Sequence, residues 1–464
     1  GAGTWVITVP TGCTTADVNH LSEHMPPGSV PKFKGDPDAG GLCVFMMEGT
    51  KAEVEEEVRT HNWPSPPVIE TDKAWRVIPE LNVGNNSNGN PGLAEVDSNR
   101  QSRRIPPWGL DRVDARRGMD DTYSPPSDGS GVHVYVADTG IRTTHQDFGG
   151  RAVPTLEVIS SVRRVCDASD TDCAADRHGH GTHCAGTVGG QTFGVAKKSS
   201  LYAVKVLTDS GEGAFSWAIE ALDWVMVSGA RPAVFSASLG GIGVYHTLRV
   251  AIDNAVSKGV SVVVAAGNDG STSTPDACMY SPAHVASAIT VGSIDSSDAR
   301  SYFSSYGSCL DIFAPGSDIK SAGHWSDTAT MWMSGTSMAC PHVAGAVALL
   351  FAEDKTLTPA QALQILIARA TPDTITDAQT GSPNLLLYTG LDTVPPTSAP
   401  MPTPGPTPVR MPGFRYVGPG YCSAGYYAGG NAADAADLAT CAAKCASEPY
   451  CRYFALTPKN TCSR

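Results

Sequence analysis

Apolar runs and amphipathic stretches alternate through the middle of this 464-residue chain. Five short apolar runs have the length and composition of strands buried on both faces: 132–137, 201–206, 233–237, 260–264 and 288–292. Helical patterns occupy four further stretches: 180–189, 215–228, 246–258 and 338–352. Strands that alternate with helices predict an α/β domain, in which a parallel β-sheet is covered by helices on both faces.

The first 80 residues repeat this alternation on a smaller scale. They contain three predicted strands and two predicted helices, in the order 5–10 (strand), 15–25 (helix), 42–46 (strand), 51–61 (helix) and 68–72 (strand). In the second helix Val54 and Val58 share one face among charged residues. We therefore expect a separate small α+β domain over residues 1–80.

Composition divides the rest of the chain. Residues 81–104 are rich in Asn, Gly and Ser and end in Ser102-Arg103-Arg104, which predicts an exposed processing linker. Residues 392–412 are rich in Pro and Thr, which predicts a stiff, extended spacer. The large α/β domain is therefore expected over 105–391, and a small cysteine-rich segment remains at 413–464.

Candidate catalytic residues stand where predicted elements begin or end. Asp138 follows the strand 132–137, His180 begins a helix, and Ser337 directly precedes the helix 338–352, with Pro341 expected in its first turn. A serine hydroxyl is a poor nucleophile, so a histidine must take its proton and a carboxylate must orient that histidine. Asn268, just after the strand 260–264, could donate to an oxyanion. The residues predict peptide hydrolysis through an acyl-enzyme.

Three motifs carry a resemblance to a known family: VYVADTG at 134–140, GHGTHCAGT at 179–187 and SGTSMACPHVAG at 334–345. In this order they resemble the subtilases, and more narrowly their proteinase K-like branch. The resemblance covers 105–391. It also implies that residues 1–80 are an inhibitory propeptide, the alternative being an unrelated α/β module. Such a propeptide would occupy the cleft like a product, with its C-terminal segment near Ser337, and keep the chain a latent zymogen.

The same resemblance implies two backbone segments that flank an extended substrate. These are Gly211-Glu212-Gly213 and Ser238-Leu239-Gly240, and the S1 pocket would lie between Ser238–Gly240 and the segment Ala265–Gly267. The pocket walls are small and uncharged, which predicts a broad preference for apolar or aromatic P1 residues. If Arg103-Arg104 were a self-cleavage site, the specificity would instead be dibasic.

Thirteen cysteines divide into pairs, buried thiols and a C-terminal cluster. Two pairs are suggested by nearness in the chain or by a shared domain: Cys166 with Cys173, and Cys13 with Cys43. The resemblance implies a third disulfide, Cys278–Cys309, and an unpaired Cys184. Cys340, which is also next to a catalytic residue, is predicted to be a buried thiol.

A calcium ion and a C-terminal binding module are further implications of resemblance. Asp311 matches a carboxylate that binds calcium in proteinase K-like enzymes, with backbone carbonyls as its partners. The segment 413–464 loosely resembles a PAN/apple-type module, which would take a carbohydrate or protein ligand; a disulfide-held tail is the alternative. Its five cysteines leave one unpaired, so the module is expected to continue beyond residue 464.

Cysteine usage, charge and hydropathy restrict the compartment and the partners. The expected disulfides and the sequon Asn85-Asn86-Ser87 favour secretion. The chain shows no signal peptide and no apolar run long enough to span a bilayer, so we expect that a signal has been removed or precedes this sequence. A net charge of −13 argues against nucleic acid as a partner. We predict a secreted serine endopeptidase made as a zymogen; the alternatives are a selective processing protease and a protein-binding scaffold with latent catalysis.

Overall fold

A computed structural model describes residues 3–25, 30–78, 106–160 and 162–390, together with the pairs 455–456 and 462–463. The helices are α1 Thr15–Glu23, α2 Lys51–Arg59, α3 Trp108–Val113, α4 His180–Gly189, α5 Phe215–Ser228, α6 His246–Ser257, α7 Thr336–Glu353 and α8 Pro359–Arg369. The strands up to the middle of the chain are β1 Gly3–Thr8, β2 Val30–Lys34, β3 Val44–Gly49, β4 Val68–Thr71, β5 Ala74–Val77, β6 His133–Asp138, β7 Ala152–Ile159, β8 Val162–Val165, β9 Ser200–Lys205, β10 Glu212–Ala214, β11 Ala233–Ala237 and β12 Leu239–Ile242. The later strands are β13 Val260–Ala265, β14 Tyr280–Ser281, β15 Ile289–Ile294, β16 Ile312–Pro315, β17 Ile319–Ala322, β18 Thr330–Met333, β19 Thr371–Pro372, β20 Leu385–Leu386, β21 Ala455–Leu456 and β22 Cys462–Ser463.

The predicted processing linker, the Pro/Thr-rich linker, the sequon and the cysteine-rich module fall outside the described residues, apart from the antiparallel pair β21–β22. That pair belongs to a second compact unit over Thr393–Arg464, whereas Gly1–Asp392 form the first. The domain boundaries within these parts therefore stay predictions.

The core of the first unit is a 10-stranded sheet in the order β19-β20-β16-β15-β13-β11-β6-β9-β7-β8. The strands from β16 to β7 along this order pair in parallel, as predicted. Val134 and Val136 of β6 join the core cluster that holds residues of α4 and α7, whereas Tyr135 and Ala137 join the cluster of α5 and α6. The α/β fold with helices on both faces is confirmed.

The order of strands reverses beside β6. The chain adds β9 on one side of β6 and then continues with β11 and β13 on the other side. Carboxyl ends of parallel strands meet at one edge of the sheet, and such a reversal opens a crevice there in which α/β proteins bind their ligands. This edge is therefore where Asp138, Ser238 and Asn268 converge.

Helix α7 corrects one prediction. The sequence pattern predicted a helix from 338 with Pro341 in its first turn, but the helix begins at Thr336 and Pro341 lies in its interior. Proline has no N–H to donate to the carbonyl of residue i−4, which is Ser337. That carbonyl instead accepts hydrogen bonds from Ser238 Oγ (2.8 Å) and Cys184 Sγ (3.4 Å). Because Pro341 leaves this carbonyl without a partner inside the helix, the carbonyl is available for hydrogen bonds to residues outside α7.

One helix among the described residues, α7, has the length and apolar composition that a membrane crossing requires, with a mean hydropathy of 1.2. It is 89% buried within the protein, where it packs in the larger core cluster. A core helix meets the same criteria of length and composition, so this is weak support for a membrane span.

The N-terminal residues form the predicted α+β arrangement, with two strands that the pattern did not predict. Their antiparallel sheet has the order β2-β3-β1-β4, and α1 and α2 cover one of its faces. On the other face Val6 and Met46 join the cluster that contains residues of α5 and α6. The strands β2 and β5 were missing from the prediction; β5 leaves this sheet and pairs elsewhere, as described below.

Candidate active site

Asp138 and His180 are brought together at the carboxyl edge of the sheet. The side chain of Asp138 at the end of β6 accepts hydrogen bonds from His180 Nδ1, at 2.7 Å to Oδ1 and 2.9 Å to Oδ2. Both residues are fully buried. Burial lowers the pKa of His180, but the carboxylate of Asp138 outweighs this, so the pKa is raised well above its usual range. The hydrogen bond to Asp138 makes Nδ1 the nitrogen that carries the proton. In the neutral imidazole, Nε2 is therefore the basic nitrogen.

Ser337 is the second residue of α7, at the N-terminus of the helix and so at the positive end of its dipole. Its Oγ lies 3.4 Å from the carbonyl oxygen of Ser238. Cys184 links this residue to the histidine, because Cys184 Sγ lies 3.4 Å from Ser337 O and 3.8 Å from His180 Nδ1. The three predicted triad residues therefore belong to one buried group at the switch point of the sheet.

Asn268 is oriented by the residue before the serine. Its Oδ1 accepts hydrogen bonds from Thr336 N and Thr336 Oγ1, both at 2.9 Å. A Cβ atom at Gly335 would stand 3.0 Å from Asn268 Nδ2, so a side chain there would crowd the amide. These bonds hold the Asn268 side chain beside the N-terminus of α7, and a side-chain amide in that place is the kind of donor that stabilises an oxyanion.

The two predicted substrate segments flank a strand of the same chain. Strand β5 lies between β10 and β12 and pairs antiparallel with both: Trp75 is opposite Gly213, Arg76 opposite Glu212 and Gly240, and Val77 opposite Leu239. Val77 N also donates to Gly211 O at 2.8 Å. A Cβ atom at Gly213 would stand 2.6 Å from Val206 O, and one at Gly240 would stand 2.9 Å from Ser281 O, so side chains are excluded there.

The second wall of the expected S1 pocket follows β13. Ala265 ends that strand and is buried. Gly267 adopts a φ of +109°, where an L side chain would be strained, and its N–H donates to Thr336 Oγ1 at 3.2 Å. This links the wall to the helix that carries Ser337.

Asp176 is a buried residue of the site that sequence reasoning missed. Its carboxylate accepts hydrogen bonds from Thr139 Oγ1 (2.9 Å), Gly179 N (2.8 Å) and Thr182 N (2.8 Å). Burial raises its pKa, but the hydrogen bonds from Gly179 and Thr182 outweigh burial and lower it. Asp176 thus joins the loop after Asp138 to the first turn of α4. The signal available in the sequence was an acidic residue four positions before His180.

Comparison with known proteins decides the family. The model of the subtilase family matches residues 129–389, more than half of the chain. The chain belongs to the subtilase family.

Several relatives of this subtilase are similar over most of its length. The extracellular serine proteinase of Thermus sp. (strain Rt41A) is 47% identical over 305 residues, which are 64% of this chain and 71% of that protein. The alkaline serine exoprotease A of Vibrio alginolyticus is 47% identical over 68% of this chain and 56% of its own length. A crystal structure of a cold adapted subtilisin-like serine proteinase is 45% identical, with a TM-score of 0.57, and covers 62% of this chain and 100% of that chain.

This subtilase is a subtilisin-like serine endopeptidase, and it is an extracellular protein, as its cysteines predicted. All three disulfides expected in the described part of the chain are present: Cys13–Cys43, Cys166–Cys173 and Cys278–Cys309. Cys184 and Cys340 are free and buried, also as predicted. Burial raises the pKa of Cys184 to about 11, so this thiol stays protonated beside the histidine at neutral pH.

One group of three side chains and one single carboxylate in the described residues are relevant to metal binding at or near the subtilase core. The ligand atoms of Asp138, His180 and Cys184 lie within 4.8 Å of one another, but Asp138 and His180 are the predicted catalytic pair and Cys184 is a buried thiol beside them. Asp311, the residue expected to bind calcium, is partly buried, and its Oδ2 accepts a hydrogen bond from Thr290 N at 2.8 Å. Burial raises the pKa of Asp311 to about 6. A carboxylate in this surrounding would be stabilised by a hard cation, so the residue fits a calcium site.

Proposed function

We propose that this chain is the latent zymogen of a secreted subtilase, that it hydrolyses peptide bonds through an acyl-enzyme on Ser337, and that residues 1–80 are its inhibitory propeptide. One observation carries the latency: β5 is hydrogen-bonded between β10 and β12, the two segments that a substrate strand would need. A strand in that position excludes any other peptide from the same edges.

The contacts between Asp138 and His180, and the place of Ser337 beside them, support the following reaction. His180 takes the proton of Ser337 Oγ while this oxygen attacks the substrate carbonyl, and Asp138 stabilises the imidazolium. The tetrahedral oxyanion accepts hydrogen bonds from the Asn268 side-chain amide and from the N-terminus of α7. When the C–N bond breaks, His180 gives its proton to the leaving amine. A water molecule, activated by the same histidine, then hydrolyses the ester and regenerates Ser337.

Substrate specificity would come from backbone pairing and from a small, uncharged S1 pocket. The edges Gly211–Gly213 and Ser238–Gly240 would bind an extended peptide irrespective of its sequence. The walls Ser238–Gly240 and Ala265–Gly267 carry no charged side chain, which supports a broad preference for apolar or aromatic P1 residues. A peptide library tests this preference, and a strong preference for Arg at P1 would support the selective processing alternative instead.

Two carboxylates of the N-terminal domain support its role as a propeptide. The helices α5 and α6 lack side-chain caps of their own. Asp72 accepts hydrogen bonds from Ser216 N and Ser216 Oγ at the start of α5. Glu70 accepts hydrogen bonds from His246 N (2.9 Å) and Thr247 N (2.7 Å) at the start of α6. The domain thus completes two helix termini of the catalytic domain.

Calcium at Asp311 would be structural in this proposal. The carboxylate would supply one hard oxygen ligand to the ion, with backbone carbonyls as the others. Bound there, the cation would offset the cost of a buried negative charge. The ligand of the C-terminal segment, a carbohydrate or a protein, is a separate part of the proposal that rests on its loose resemblance to a PAN/apple-type module.

Labelling with a fluorophosphonate probe tests the nucleophile and the latency together. The probe is applied to the wild type, to Ser337→Ala and to Ser169→Ala, before and after limited proteolysis. Labelling is expected to be lost in Ser337→Ala, retained in Ser169→Ala, and stronger after cleavage. Equal labelling before and after cleavage would leave the nucleophile but refute the zymogen. If neither state is labelled, the protein-binding scaffold would be favoured.

A further inference from the structure

Two histidines and one glutamate meet between the helices of the N-terminal domain, far along the chain from the catalytic motifs. His20 lies in the last turn of α1 and His24 is the residue that caps its C-terminus, so the two are four positions apart on one face. Glu57 faces them from α2. One ligand atom from each of the three residues lies within 4.8 Å of those of the other two.

Two of these polar atoms are buried without a hydrogen-bond partner. His20 Nε2 and Glu57 Oε1 are both inaccessible to solvent and unsatisfied, and they stand 4.0 Å apart. Glu57 is only 7% exposed. Burial of a carboxylate oxygen without a partner costs free energy. A group that binds both atoms would offset that cost and stabilise the packing of α1 against α2.

The surrounding contacts orient the rings for binding. His24 Nδ1 is 2.9 Å from the carbonyl oxygen of His20, which makes Nδ1–H the donor and leaves Nε2 as a lone-pair ligand. The ring of His20 is held between those of His24 and His61, at centroid distances of 4.2 and 4.3 Å. His61 Nε2 itself contacts Asp17 Oδ1 at 2.7 Å. His61 therefore supports the cluster, whereas the other three residues offer ligands.

We propose that His20, His24 and Glu57 bind a divalent transition-metal ion, with Zn²⁺ as the best-matched ion. Two imidazoles and one carboxylate form a ligand set typical of zinc, and a water molecule would take the fourth position. Ligands about 2.0–2.1 Å from a tetrahedral ion are separated by roughly 3.3 Å. The 4.0 Å between His20 Nε2 and Glu57 Oε1 then needs only small side-chain rotations.

The ion would join α1 to α2 and stabilise the domain that carries both, because it binds the folded arrangement and not the unfolded chain. The site is independent of the proposed function, since it rests on the geometry of the N-terminal domain whatever that domain does. The competing interpretation is a simple ion pair between protonated His20 and Glu57.

Metal titration of the full chain tests the site. The chain carries Ser337→Ala so that it stays intact, and it is titrated with Zn²⁺ by calorimetry and with Co²⁺ by visible absorption. One ion of each is expected to bind, with the d–d bands of a tetrahedral Co²⁺ site, and Zn²⁺ is expected to raise the melting temperature. If neither titration shows binding, the ion-pair interpretation stands and the proposal is overturned.

Variants locate the ion within the chain. His24→Ala changes an exposed side chain, and Glu57→Gln keeps the size of the buried one; each is expected to weaken Zn²⁺ binding at least tenfold. His246→Gln, on α6 and outside the cluster, is the matched control and should bind as tightly as the parent. Should Glu57→Gln fail to fold, His24→Ala decides alone. Undiminished Zn²⁺ binding by His24→Ala would assign the ion to another part of the chain and overturn the proposal.

Discussion

At the scale of single residues, the site depends on hydrogen bonds between α7 and residues outside it. Pro341 cannot donate to the carbonyl of Ser337, and this carbonyl is held instead by Ser238 and Cys184. Thr336 holds the side-chain oxygen of Asn268, which fixes the orientation of the amide group. The predicted nucleophile and the predicted oxyanion donor are thus positioned by their immediate neighbours in space.

The pH dependence of activity should reflect the raised pKa of His180. Only the neutral imidazole can accept the serine proton, so activity should be lost as pH falls through that pKa. Because Asp138 raises it above 6.5, the acid limb of kcat/KM for the processed enzyme should have its midpoint above pH 6.5. A midpoint at or below pH 6.5 would contradict the effect of Asp138 on the pKa of His180. In Asp138→Asn the tautomer is no longer fixed, and turnover should fall by about 10⁴-fold.

Removal of the Asn268 amide should affect the transition state far more than substrate binding. We expect Asn268→Ala to lower kcat by about 100- to 1000-fold with little change in KM. Asn254→Ala on α6 is a matched control, because its side chain bonds only within that helix, to Val250 O. Since Asn268 also bonds Thr336, the melting temperature of the variant has to be measured. A rise in KM without a fall in kcat would refute the role of Asn268 as an oxyanion donor.

At the scale of elements, one strand and two helix termini connect the N-terminal domain to the rest of the first unit. Strand β5 pairs on both sides with strands that are more than 130 positions away in sequence. The starts of α5 and α6 bond to Asp72 and Glu70 instead of to caps of their own. These contacts are polar and directional, so they define one orientation of the domain on the sheet.

Loss of a capping carboxylate should weaken the latency of the intact chain. An N-cap is worth about 0.5–2 kcal/mol. If that energy holds the domain in place, Asp72→Ala or Glu70→Ala should increase the rate of fluorophosphonate labelling of the intact chain by roughly 2- to 30-fold. Glu55→Ala, which removes an exposed carboxylate of α2 in the same domain, is the control. Unchanged labelling in both cap variants would mean that the caps do not contribute to inhibition.

At the scale of the whole molecule, one disulfide and one partly buried carboxylate beside the main sheet bear on the stability of the first unit. The Cys278–Cys309 disulfide and the carboxylate of Asp311 lie close together in sequence, next to β16. A carboxylate whose folded pKa is about 6 opposes folding once it ionises, because its unfolded pKa is lower. A bound cation would reverse that effect.

Calcium removal should therefore lower the melting temperature, and more so at higher pH. Without calcium, stability should fall as pH rises from about 4 to about 6, where Asp311 ionises in the folded protein. Thermal unfolding with and without a chelator, at pH 5 and pH 8, measures this difference. Asp311→Asn should abolish the response to calcium. If the melting temperature is insensitive to chelation at pH 8, calcium has no structural role at this residue.

Much of the fold and of the catalytic group was predictable from local pattern. Strands β6, β11 and β13 are mainly apolar runs, and their ends are predicted to within one residue, because strands buried on both faces are typically near-continuous apolar segments. Asp138 ends β6, His180 begins α4 and Asn268 stands three residues after β13, so the parallel topology brings them to one edge of the sheet.

The remaining features depend on partners distant in sequence. The four residues of β5 have no marked periodicity, and they form a strand because β10 and β12 offer them hydrogen bonds on both sides. The role of Asp176, the capping by Glu70 and Asp72, and the approach of Glu57 to His20 likewise arise only when separate elements pack. Composition and periodicity determine where an element forms and which of its faces is apolar. Only tertiary contact decides which buried polar atoms find a partner, since hydrogen bonds and ion pairs are set by distances of a few ångströms between groups that the chain itself does not hold together.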